Sequence, residues 1–152
     1  MANNASDYLE DKILKHIFKN NGGAEYTPPA ANSGNNDSDG IFVSLHTGSP
    51  ADDNSGSNEV SASGTSYARS NASDALTFSI TQSSGTTTAT NVQAIPFPQA
   101  TGNYSGTVTH IGIYDALTGG NLLFHGALTV SKTITTGDTF QINAGALTIT
   151  LE

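Results

Sequence analysis

Between Gly106 and Val130 apolar and polar residues alternate twice, on either side of a glycine-rich break. In the first half, Val108, His110, Gly112 and Tyr114 fall on one face, and Thr109, Ile111 and Ile113 on the other. In the second, Leu122, Phe124, Gly126, Leu128 and Val130 share a face opposite Leu123, His125 and Ala127. A period of two predicts two β-strands, and apolar residues on both faces place them inside a sandwich or at an interface. The link from Asp115 to Asn121 contains Thr118-Gly119-Gly120, which lets the chain reverse through positive φ. The rest of the chain is expected to pack around this hairpin.

Shorter stretches repeat the alternation. Ile41, Val43 and Leu45 share one face of a strand ending at His46, and Leu76, Phe78 and Ile80 alternate with Thr77, Ser79 and Thr81. Residues 86–95 form a further strand, stopped by Pro96 and Pro98, because proline cannot donate to a ladder. Lys132–Thr135, then Phe140 with Ile142, then Leu147, Ile149 and Leu151 complete the series, with turns at Gly137-Asp138 and Ala144-Gly145. About eight or nine short strands at this spacing predict a mainly β protein, an antiparallel sandwich or jelly roll.

One segment reads differently. After Ser6, an N-cap residue type, the acids Asp7, Glu10 and Asp11 precede Lys12, Lys15 and Lys19, an order that complements a helix dipole. Leu9, Ile13 and Ile17 recur every four residues, Leu14 and Phe18 widen the stripe, and Asn20-Asn21-Gly22-Gly23 ends it. Residues 1–23 are therefore expected to be an N-terminal helical arm, docked on the protein's own sheet or on a neighbouring subunit. Residues 24–152 are expected to be a single β-sandwich domain with long polar loops at 24–40 and 47–66, the second holding a brief strand near Val60. Loops of that length in a compact domain make contacts or carry function.

Composition narrows the function. Of 152 residues 36% are hydrophobic and only 12% charged, a balance that suits short strands and polar loops. The net charge is −8, and beyond residue 19 the only bases are Arg69 and Lys132. So acidic a surface repels phosphate backbones and anionic lipid, so neither nucleic acid nor membrane is an expected partner. Without cysteine there are no disulfides or thiolate metal sites. The start shows no basic segment leading into an apolar one, so synthesis in a cytoplasm is expected.

Chemistry-bearing motifs are few. His110 and His125 become cross-strand neighbours if the register allows, and would then bind a metal, protonate near pH ~6, or simply be satisfied in a packed sheet. His16 lies in the helical segment and His46 at a strand end. Asp37-Ser38-Asp39-Gly40 opens like a calcium loop, but Gly48 stands where the bidentate acid belongs; Asp52 and Asp53 would have to approach by loop folding. No nucleophile elbow, phosphate-binding loop or dinucleotide fingerprint is present, and there is no tryptophan to face a pair of carboxylates. The expectation is a protein that is not an enzyme and needs no cofactor.

Several segments resemble one family. They are SDYLEDKILKHIF (Ser6 to Phe18), IFVSLHT (Ile41 to Thr47), Glu59-Val60 followed by Tyr67-Ala68-Arg69, and FPQATG (Phe97 to Gly102). The longest is GTVTHIGIYDALTGGNLLFHGALT (Gly106 to Thr129), followed by GDTFQI and AGALTITL. Together they resemble small virion structural proteins of tailed bacteriophages, often labelled tail-fibre proteins and similar to jelly-roll cement proteins that sit as trimers on some capsids. The resemblance implies a virion location and a role in assembly. The leading expectation is a homotrimeric capsid cement or decoration protein that bridges major capsid protein subunits and stabilises the shell by binding it. The alternative is a tail-associated fibre, adaptor or receptor-binding module contacting tail proteins. Leu9, Ile13, Ile17 and Phe18 of the arm, and Ile111, Ile113, Tyr114 and Leu123 of the hairpin, are the expected interface residues.

Overall fold

The computed structural model describes residues 4–6, 41–53, 55–72, 78–83 and 86–151. The expected helix, with Leu9, Ile13, His16, Ile17 and Phe18, lies outside the described residues, as do the 24–40 loop and Asp37 and Asp39. What is described is mainly β and antiparallel throughout. Its ten strands are β1 (Asn4–Ala5), β2 (Phe42–His46), β3 (Ser70–Asn71), β4 (Phe78–Ser83), β5 (Thr86–Asn91), β6 (Ile95–Pro96), β7 (Val108–Tyr114), β8 (Leu122–Lys132), β9 (Gln141–Ile142) and β10 (Thr148–Leu151). They form a five-stranded sheet in the order β1-β8-β7-β2-β3, a three-stranded sheet β10-β5-β4 and a two-stranded sheet β6-β9.

The hairpin expected at the centre is there. β7 lies between β8 and β2, and the turn between β7 and β8 carries positive φ at Gly119 and Gly120. Asp115 fixes that turn by accepting from the Asn121 backbone N–H at 2.6 Å and its side-chain amide at 2.7 Å. Val43 opposite Ile113 and Leu45 opposite Ile111 turn one face of this sheet into the core. Ile95, Ile142 and Leu147, from the smaller sheets and the turn before β10, close over them, with Phe97, Tyr104 and Ile134 from connecting segments. Each such side chain, once buried, contributes about 1.5–3 kcal/mol of transfer free energy. Asn91, 1% exposed, pins the turn before β10: its amide donates to the Gln93 and Asn143 carbonyls and its carbonyl accepts from the Leu147 N–H.

Several expectations need correction. The strand expected over 86–95 ends at Asn91, and Ile95 and Pro96 pair instead with Ile142 and Gln141 as an edge ladder. Residues 4 and 5, counted within the helical arm, are an edge strand, Asn4 opposite His125 and Ala5 opposite Phe124. Ser6 continues that edge: its N–H donates to the Leu123 carbonyl and its buried hydroxyl to that of Leu122. Lys132 ends β8 rather than opening a new strand. Ile80 is 65% exposed, although Phe78, two residues before it on β4, packs against the core as the alternation implied. The loop after β2 pairs where the brief strand near Val60 was expected. It returns beside β2, with Glu59 bridged to His46 and the Val60 N–H bonded to the Leu45 carbonyl, which brings Val60 and Tyr67 into the core.

Candidate functional site

The face of the five-stranded sheet turned away from the main core carries the polar chemistry. Alternation places Phe42, Ser44 and His46 of β2 there, opposite Tyr114, Gly112 and His110 of β7, and Gly112 in turn stands opposite His125 of β8. Ser44 and His46 are fully buried. The expected neighbourhood of His110 and His125 is diagonal; the direct neighbour of His110 is His46.

The segment returning after β2 fastens onto this face. His46 Nδ1 meets the Ser57 carbonyl at 3.0 Å and donates to it, which leaves Nε2 to accept from the Ser44 hydroxyl at 2.8 Å. Ser44 Oγ also lies 3.1 Å from the Gly112 carbonyl. Asp52 reaches His125 Nε2 at 2.8 Å. A serine beside a histidine has the outline of a nucleophile and its base, but here a carbonyl stands where the orienting acid belongs and solvent reaches neither side chain. Among the described residues no three His, Asp or Glu side chains converge on a metal position. The arrangement is a clasp: it holds Asp52 and Ser57 against the sheet.

Protonation opposes the clasp. Burial pushes the His46 pKa below its ordinary value, against the pull of the Ser57 carbonyl and Glu59, and burial together with the His125 charge lowers that of His110. Both folded pKa values lie below the unfolded one, so the stability they contribute is complete above pH ~6.5 and is lost as pH falls from there toward the folded values. The melting temperature should therefore fall between pH 7.5 and 5, and fall less in His46→Gln. Identical slopes for the two proteins would remove His46 from the account.

Arg69 organises the other end of the face. Its Nε and one terminal nitrogen donate to the two Glu59 oxygens at 2.9 and 2.7 Å. The other terminal nitrogen donates to the Ala116 and Gly119 carbonyls of the central turn at 2.8 and 2.7 Å. The guanidinium carbon lies 3.6 Å from the Tyr114 ring centroid, within cation–π range. Tyr67 completes the cluster, its hydroxyl donating to Glu59 at 3.0 Å and accepting from the Leu45 N–H at 2.9 Å. Burial works against the Arg69 charge, but the Glu59 hydrogen bonds and charge outweigh it and the net shift is upward. Burial and the Glu59 charge raise Tyr67. One arginine thus joins three chain segments, 59–60, 67–71 and 114–120.

The expected interface residues of the hairpin sit deep within one copy. Ile111 and Ile113 belong to the core, while Tyr114 and Leu123 are buried without being part of it. The two-faced apolar pattern is thereby accounted for inside a single chain. Leu9, Ile13, Ile17 and Phe18 lie outside the described residues. Glu59, Tyr67 and Arg69 escaped the chemical reading although the resemblance had drawn attention to them; the available signal was a lone arginine in a chain otherwise short of bases.

A comparison with protein-family models matches residues 4–150 to the podophage GP4 fiber I protein gp80 family. The chain belongs to that family. It is a virion structural protein of the tailed-phage kind, as the segment from Gly106 to Thr129 had indicated. No curated protein matches it. In this gp80-family protein the segments that carry the resemblance, Glu59-Val60, Tyr67–Arg69 and the hairpin, are those that build the Arg69 cluster.

Proposed function

We propose that the protein is a tail-associated structural component of the phage particle, a fibre subunit or fibre adaptor, acting by shape and contact and not by catalysis. The observation that carries this is the family match across 4–150, whose description names a fiber. The capsid-cement expectation has nothing comparable behind it and gives way to its alternative. The antiparallel β architecture is in keeping with the proposal: a core lies between the Val43, Leu45, Ile111 and Ile113 face and Ile95, Ile142 and Leu147. A role by contact is also in keeping with the burial of the Ser44–His46 pair, which solvent does not reach.

Assembly needs surface that a single copy leaves uncovered. β4 is the edge of its sheet, shows Ile80 65% exposed and pairs on its outer side with no described strand. An exposed edge of this kind is a template for pairing with another chain. Self-association, with a homotrimer as the expected state, and attachment to tail proteins are the partners proposed. Quantitative mass spectrometry of purified particles, with immunogold labelling, tests the reading. A copy number matching the tail proteins, with gold at the tail, is the expected result. A number matching the major capsid protein, with gold over the shell, overturns it.

A further inference from the structure

The register of the central hairpin breaks once more beyond the histidines. His110 pairs with Ala127 and Val108 with Lys132, so Leu128–Ser131 of β8 bulge out opposite the single residue Thr109. Bulges re-aim side chains, and this one opens a cavity of about 330 Å³ toward the turn before β10. Its floor is Ile111 and Leu147, both essentially sealed from solvent, and Phe140 and the bulged Leu128 and Val130 form walls. Val130 is 63% exposed, so the opening faces solvent.

Polar groups gather at the same opening. Lys132, Gln141 and Asn143 line it and all three are exposed. The Gln141 amide donates to Asn143 Oδ1 at 2.9 Å, which orients the pair and leaves a carbonyl on one and an NH2 on the other. Lys132 makes no ion pair among the described residues, whereas Arg69 is consumed by Glu59. On a protein of net charge −8, this places an uncommitted cation at the mouth of a cavity.

We infer that this cavity binds a carboxylated sugar residue. The apolar floor and the Phe140 wall take the C–H face of a pyranose ring, the amide pair exchanges hydrogen bonds with ring hydroxyls, and Lys132 receives the carboxylate. The volume is near the lower end of the ~300–1,000 Å³ usual for ligand pockets, which fits a single ring and not a long oligosaccharide. The ligand chemistry follows from the cavity; assigning it to an acidic polysaccharide of the host surface rests on the tail reading proposed above.

Amide-resolved NMR of the full chain, titrated separately with sodium glucuronate and with glucose, tests this. Glucuronate should shift saturably the signals of residues 128–132 and 140–147, with glucose at least about tenfold weaker, a difference of about 1.4 kcal/mol. Lys132→Gln, at an exposed position that leaves the core intact, should bring glucuronate down to the level of glucose, while Gln141→Ala should weaken both sugars. The inference is overturned by an absence of shifts with glucuronate, by undiminished binding in Lys132→Gln, or by the same residues shifting on dilution alone, which would make a second copy the occupant. Particle location separates the two claims. Tail gold without glucuronate binding ends the site and spares the fibre reading; binding with shell gold does the reverse.

Discussion

Arg69→Ala should lower the unfolding free energy by about 3–5 kcal/mol, the usual cost of removing one partner of a buried ion pair. The guanidinium side chain is 5% exposed and that of Glu59 20% exposed, so truncation leaves a carboxylate with little water and no cation. The Ala116 and Gly119 carbonyls lose their donor, and the Tyr114 ring loses the charge above it. A typical domain has only about 5–15 kcal/mol in hand, so the variant should unfold at a much lower urea midpoint with an unchanged slope. Arg69→Lys should recover only a fraction, because an ammonium cannot grip both carboxylate oxygens and reach two carbonyls while stacking on a ring. The double variant Glu59→Gln/Arg69→Ala should lose less than the sum of its parts, since the stranded charge is gone. A loss under about 1 kcal/mol for Arg69→Ala would place the pair in the class of solvated surface bridges.

The sequence pattern reveals the hairpin, β2, the positions of most turns and the mainly β class because each is a local matter. Alternation sets strand faces, and glycine pairs set reversals. It does not reveal where the register slips. Leu122 and Leu123 are both buried because β8 shifts against β7 between Ile113 and Tyr114, and Leu128 and Val130, nominally on one face, differ in burial within the bulge, Leu128 half-buried and Val130 exposed. A slip of one residue exchanges faces, and nothing local announces it. The candidate sites fall on the same divide. His110 and His125 were visible as a pair in principle, but the partner that matters most, His46, comes from a strand more than sixty residues away. Arg69, Glu59 and the 114–120 turn meet only through long-range folding. The cavity beside Lys132 owes its existence to the bulge, so no periodicity argument could have found it. Ile80 shows the opposite failure: its alternation is regular, yet an edge strand at the surface leaves it uncovered.

Gly112→Ala should be the most costly single methyl that can be added to the central strand. A Cβ there would stand 2.7 Å from Ser44 Oγ, 2.9 Å from Tyr114 Cε2 and 3.0 Å from His46 Nε2. None of the three is the loose end of a surface side chain; Ser44, His46 and Tyr114 are all 0–1% exposed. Overpacking of this kind costs about 1–3 kcal/mol when neighbours can shift, and here each neighbour is held. Ser44 is tied to His46 and to the Gly112 carbonyl, His46 to Ser57, and Tyr114 lies under Arg69. Any shift of His46 surrenders its bond to the Ser57 carbonyl. The damage should therefore spread along the returning segment. Amide exchange at Thr47, bonded to Asn58, and at Val60, bonded to Leu45, should accelerate before the core strands β7 and β8 are affected. Removing the nearest obstacle in Ser44→Ala/Gly112→Ala should restore part of the stability, and only part, because His46 then lacks the hydroxyl that met its Nε2. Native stability in Gly112→Ala, or exchange that quickens evenly across the sheet, would show that the glycine is not what lets these three side chains close on one another.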